Sequence, residues 1–193
     1  MINMEKIENL RFYIPLIFVA SIFLGPVFNF VMFFYKKIPN SYWSFYITTI
    51  QFADIMALTF ILFSVVVVIT FTFLKKIAKE PAIAISLIII GFNCIYAAFT
   101  TTWPFYLITF IIIGGTIAFA LPLIFALIND ITKTEGARLF HRSFLPVSSV
   151  IWLLIQSIIF EVLGIQLWRA LYIIIGIINF VSAPIVFLYK ELE

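Results

Sequence analysis

One histidine, one cysteine and nine carboxylates are spread over 193 residues, and this inventory limits the chemistry open to the chain. His141 lies in the basic stretch NDITKTEGARLFHR, where an imidazole is solvated, and a metal site that needs two histidines cannot come from one chain. Neither G-x-S-x-G nor H-E-x-x-H occurs, so the signatures of a serine hydrolase and of a zinc hydrolase are both missing. Cys94 stands alone in an apolar run; it can form neither an intramolecular disulfide nor a thiolate cluster, and reads as a core residue. With no positioned acid, base and nucleophile, and no cofactor motif, an enzyme is the least favoured class.

The remaining chemistry belongs to polar groups inside apolar runs. Asn29, Asn93, Gln156 and Asn179 are the neutral ones. Such groups are costly in hydrocarbon and face either a partner helix, as interhelical glue, or a water-filled cavity. Asn29 and Gln156 are the candidates for substrate contact. Asp54 is the third cavity candidate: at the start of an apolar run it complements a helix N-terminus, or serves as a proton or cation site. Glu161, near the end of another run, can pair with Arg169 across a short turn.

Glycine and proline interrupt two of the runs. Gly25 and Pro26 lie near the middle of the first, and Gly114, Gly115 and Pro122 lie in the fourth. Inside a helix these residues free backbone groups that line a cavity or permit bending, so all five are hinge candidates; small residues also let helices pack closely. The first and fourth runs would be equivalent members if the six runs form two three-helix repeats, and paired interruptions there are a pointer to transport.

The elements that must hold these residues follow from composition. The chain is 64% hydrophobic and 11% charged, with mean hydropathy +1.19, whereas a soluble domain carries about 25% charge. Six apolar runs, at about 12–35, 52–74, 81–99, 105–128, 143–162 and 170–189, are each long enough to span a bilayer as a helix. The expected fold is therefore all-α: a single transmembrane domain over residues 1–193. Outer-membrane strands would alternate apolar and polar residues, and LFSVVVVITFTFL does not. The first run exceeds the roughly 7–15 residues of a signal-peptide core and reads as a retained span.

Lys and Arg set the orientation, because cytoplasmic loops keep positive charge during insertion. With both termini cytoplasmic, Lys6, Arg11, Lys75, Lys76, Lys79, Lys133, Arg138, Arg142 and Lys190 fall inside, and only Lys36, Lys37 and Arg169 fall outside. Trp43, Trp103 and Trp168 fall in the outer loops, where an indole buries its ring and wets its N–H; Trp152 is mid-span. The net charge of +3 thus reports orientation, most simply in a plasma membrane, and no aromatic-basic stripe points to nucleic acid.

The stretch GGTIAFALPLIFALINDITKTEGARLF resembles the fourth helix and following loop of the major facilitator superfamily, with Asp130 and Arg138 in the acidic and basic places. LGIQLWRALYIIIGI is similar to the family's G-W-R-x-x-F turn between helices five and six, and Arg169 matches its arginine. The family's loop motif G-x-x-x-D-R-x-G-R-R is represented by LKKIAKEP, which keeps basic charge but lacks the Asp and the glycines. Thr109 stands near the place of an arginine often found early in helix four, so no proton site is carried over. The resemblance implies one N-terminal six-helix half of a transporter. It would move an unspecified small solute by alternating access, paired with a second copy of itself or with a separate second half, with Asp130 and Arg138 as a cytoplasmic latch. The alternative is an accessory or assembly subunit without transport of its own.

Overall fold

In the computed structural model the chain is described over residues 49–100, 103–131 and 168–186, with isolated helical positions between residues 135 and 162. Asn29, Gly25, Pro26, Arg138 and Gln156 lie outside the described residues, as does the span expected at 12–35.

The described chain is helical. Helix α1 (Thr49–Phe73) runs into a 3₁₀ turn, Leu74–Lys76; α2 is Lys79–Phe99, α3 is Trp103–Ile131 and α4 is Trp168–Ile185. Three segments are long and apolar enough to cross a membrane, Ala57–Lys76, Lys79–Phe99 and Leu107–Asp130, and a shorter apolar one covers Arg169–Pro184. At a rise of 1.5 Å per residue, the 21 residues of α2 extend about 31 Å, close to the thickness of a hydrocarbon core. The expected spans 52–74, 81–99 and 105–128 fall on α1, α2 and α3, each helix starting two or three residues earlier.

Local chemistry sets these ends. Helix α2 follows Ala78 in extended conformation and carries Pro81 in its first turn, where a missing N–H costs nothing because the first four helical donors have no intrahelical acceptor. It stops at Thr100, which is extended and donates its hydroxyl to the Tyr96 carbonyl at 2.9 Å and its N–H to the Ala97 carbonyl at 3.3 Å. Two of the last carbonyls, those of Tyr96 and Ala97, thereby gain donors at the helix end.

The order in space differs from the order in sequence. Helix α3 packs between α1 and α2, and α4 packs on α2, giving the row α1, α3, α2, α4. Helix α2 accordingly buries a wide stripe, Ile83, Ala84, Leu87, Ile90, Cys94, Ala97 and Ala98, while Ile85, Ile88, Phe92 and Phe99 face outward. Helix α1 is apolar all round and buries little beyond Thr59 and Thr70; Leu58, Ile61, Val65 and Val68 are exposed. A surface of this kind is stable against acyl chains and not against water.

Glycines set the two closest approaches. A Cβ on Gly91 of α2 would lie 3.0 Å from the carbonyl oxygen of Gly176 in α4, and a Cβ on Gly176 would lie 2.9 Å from that of Gly91. Gly91 also meets Phe180, and Gly176 meets Ile95, so the register runs in opposite senses and the helices are antiparallel. Phe92 and Phe180 close the contact edge to face, centroids 4.9 Å apart. On the other side of the row, Gly114 of α3 takes the Thr59 methyl and Gly115 takes Leu62.

Candidate functional site

The antiparallel pairing fixes which groups share an end of the bundle. The 3₁₀ turn with Lys75 and Lys76, the start of α2 with Lys79 and the end of α3 with Asp130 lie at one end. The α2–α3 turn and the start of α4 with Arg169 lie at the other. Among the described residues, Lys75, Lys76 and Lys79 thus share one end, and Arg169 lies at the opposite one.

At the lysine-rich end, Lys79 Nζ donates to Asp130 Oδ2 at 2.6 Å. The resemblance implies a latch between Asp130 and Arg138, and Arg138 lies outside the described residues; among the described residues Asp130 accepts from Lys79, 51 positions earlier. The bond ties the start of α2 to the last turn of α3. Lys79 is partly buried and Asp130 more than half exposed, so solvent screens the attraction and such a pair contributes at most about 1 kcal/mol. A pair of this strength can form and break as a protein changes state.

Beside it lies a pocket of about 330 Å³ lined by Phe71, Leu74, Pro122, Phe125, Ala126 and Asn129. Pro122 is buried inside α3. Lacking an N–H, it leaves the carbonyl one turn before it, that of Ala118, without its helical donor, the condition under which a helix bends. Of the hinge candidates among the described residues, Pro122 lines this pocket. Gly114 and Gly115 are occupied as seats for α1 side chains, so their immediate role is close packing.

Hydroxyl groups in the apolar segments follow one rule. Ser64, Thr70, Thr72, Ser86, Thr100, Thr109, Thr116 and Ser182 each donate to the carbonyl four residues earlier, at 2.7–2.9 Å, which satisfies the group without a partner helix. Thr59 departs from it: the residue is buried, its methyl lies against Gly114, and its Oγ1 has no partner. Asn93 and Asn179 both donate Nδ2 to the fourth carbonyl back, at 2.8 Å. Asn93 therefore satisfies itself within α2, while Asn179 is fully buried with its Oδ1 unpartnered. An unmatched buried acceptor costs about 1–3 kcal/mol, which makes Thr59 and Asn179 the unusual polar groups of the described core. Asn179 is among the polar groups that the sequence singles out, whereas Thr59 is not, because its hydroxyl neighbours of the same type bond back within their own helices.

Asp54 is exposed on the second turn of α1, ahead of the apolar segment that begins at Ala57, and Glu161 is exposed as well. Thr109 is buried and self-satisfied. Cys94 is buried in the core and unpaired. Among the described residues, no three of His, Cys, Asp and Glu gather where they could share a metal ion. Among the described residues, the features of this end are a proline inside α3, an exposed ion pair and a pocket beside them. Comparison with protein-family models, curated proteins and solved structures found no match for the chain.

Proposed function

We propose that this chain is a six-helix half of an alternating-access transporter. It resembles the N-terminal half of the major facilitator superfamily, sits in the plasma membrane with both termini cytoplasmic, and works as a homodimer or with a separate second half. The observation that carries the reading is the helix row. Numbered by the six sequence spans, the contacts are third on sixth, second on fourth and third on fourth. Two three-helix repeats enter the membrane from opposite sides, because each has an odd number of spans, and are related by an axis in the membrane plane. Third and sixth spans are then equivalent. Their contact must be antiparallel and reciprocal, and Gly91 against Gly176 is both.

In this reading the Asp130 latch engages Lys79 in the present state, and Arg138 competes for the same carboxylate in the other. Gly25, Pro26 and Pro122 permit the bending, and Asn29, Asp54 and Gln156 face the solute path. The ion pair biases the equilibrium only if it is made in one state and not in the other.

The test is accessibility of single cysteines introduced in the outer and inner loops of the protein in oriented vesicles. D130N and R138Q are each expected to shift labelling reciprocally between the two sides. Labelling unchanged by both substitutions would remove the latch. Native mass spectrometry in mild detergent addresses the pairing: a homodimer, or a stable complex with a second six-helix chain, is expected, and a persistent monomer would favour the accessory-subunit reading.

A further inference from the structure

The lysine-rich end combines two features that transport by the chain does not require. The first is the pocket between the C-terminal ends of α1 and α3. Its lining is apolar apart from the Asn129 amide, Ala126 and the compact ring of Pro122 keep it open, and exposed Phe71 at its edge places the mouth on the outer surface of the bundle. The second is the charge directly above it. Leu74 lines the pocket and the chain continues into Lys75 and Lys76, both exposed and without an ion pair among the described residues. Lys76 lies 5.9 Å from the centre of the Phe73 ring, a cation–π contact that leaves its charge available.

Two carboxylates of the described helices share this end. Asp130 is neutralised by Lys79 at 2.6 Å, and Glu80 belongs to the first turn of α2, where the helix dipole favours a carboxylate. The same dipole favours lysines at the end of α1, which accounts for their sign but not for the hollow beneath them. Depth adds a constraint. The apolar segments Ala57–Lys76 and Leu107–Asp130 both end here, so the pocket lies at the edge of the hydrocarbon and the ammonium groups at headgroup level. A water-soluble anion would find charge but no use for the lining, and a neutral lipid would find the lining but no use for two free ammonium groups.

We propose that this pocket binds an anionic phospholipid, with acyl-chain carbons between Phe71, Phe125 and Ala126 and the headgroup phosphate on Lys75 and Lys76. The site is independent of whether the chain transports a solute.

Native mass spectrometry of the full chain, released from nanodiscs of phosphatidylcholine with or without phosphatidylglycerol of matched acyl chains, tests it. The expected result is retention of one phosphatidylglycerol in preference to phosphatidylcholine. K75Q/K76Q should lower that preference by roughly tenfold or more, since each lysine near a surface contributes to anionic-lipid affinity. A126F should remove the retained lipid while leaving the lysines in place. I61F, on the exposed face of α1 more than two turns away, is the control and should change nothing. Equal retention of the two lipids would overturn the proposal, as would phosphatidylglycerol retention unaffected by either pocket or lysine substitution. Should A126F fail to fold, K75Q/K76Q decides alone, because both side chains are exposed. Addition of inorganic phosphate distinguishes a headgroup from a free anion: the lipid is expected to remain, and displacement by millimolar phosphate would sink the lipid assignment.

Discussion

Gly91 and Gly176 meet with each backbone carbonyl occupying the space that the other residue's Cβ would fill, at 3.0 and 2.9 Å. Helices α2 and α4 are therefore as close as two helices can come at that level. Between lipid-exposed helices this is where packing energy is gained, since burial from water is unavailable as a driving force.

G176A should destabilise more than G91A. A Cβ at Gly176 meets both the Gly91 carbonyl and Ile95 Cγ1 at 2.6 Å, whereas one at Gly91 meets the Gly176 carbonyl at 3.0 Å and a Phe180 ring edge at 3.4 Å. Overpacking of this kind costs about 1–3 kcal/mol. The ranking is checked by thermal unfolding in detergent followed by size-exclusion chromatography, and equal midpoints for both variants and the parent would contradict it.

The Thr59–Gly114 seat predicts a rescue. G114A places a Cβ 2.5 Å from the Thr59 methyl and should destabilise by about 1–3 kcal/mol, while T59A removes both that methyl and an unpartnered hydroxyl. The double variant should recover most of the loss, giving a favourable coupling of about 1 kcal/mol in a double-mutant cycle. G115A meets the far end of the flexible Leu62 side chain at 3.2 Å and should be nearly neutral. Additive effects of T59A and G114A would mean that the seat is not where the two helices touch.

The Lys79–Asp130 pair predicts a small stability effect, below about 1 kcal/mol for K79Q or D130N, because water reaches both groups. A charge reversal, K79D/D130K, should restore whatever state preference either single change disturbs. Comparing the accessibility of engineered cysteines in the three variants measures this; a reversal that behaves like the worse single variant would show that the two groups act separately.

Cys94, buried in the core of α2, should not react with N-ethylmaleimide in the folded protein and should react fully after denaturation in SDS. Mass spectrometry reads both conditions. Labelling of the folded protein at the rate of a free thiol would place α2 differently in the bundle.

The helices were legible because lipid demands long uncharged runs, and the runs at 52–74, 81–99 and 105–128 gave three of them within a few residues. Their contacts were not. The pairing of Lys79 with Asp130, 51 positions apart, has no local signal, because it requires knowing that α2 begins where α3 ends. Ile-Ile-Ile-Gly occurs at 88–91, 111–114 and 173–176, and the glycine of each is a contact point between helices, a repeat that marks Gly91 and Gly176 alongside Gly114. Thr59 had no local signal, since its departure from back-bonding depends on the methyl that α3 receives. Asn29, Gln156 and Arg138 fall outside the described residues, and Asp54 is exposed on α1.

The row α1, α3, α2, α4 imposes an order on biogenesis. Helices α1 and α2 are joined by little more than one turn, yet α1 has its main packing surface on α3 and not on α2. As the chain is synthesised, the surfaces that α1 and α2 present to α3 stay unfilled until α3 emerges and slots against both. During that interval Thr59 lacks its seat at Gly114, and Gly91 remains open until the far later α4 arrives. The assembly of this protein is thus gated by synthesis of its downstream segments, and quality control has a long window in which to act.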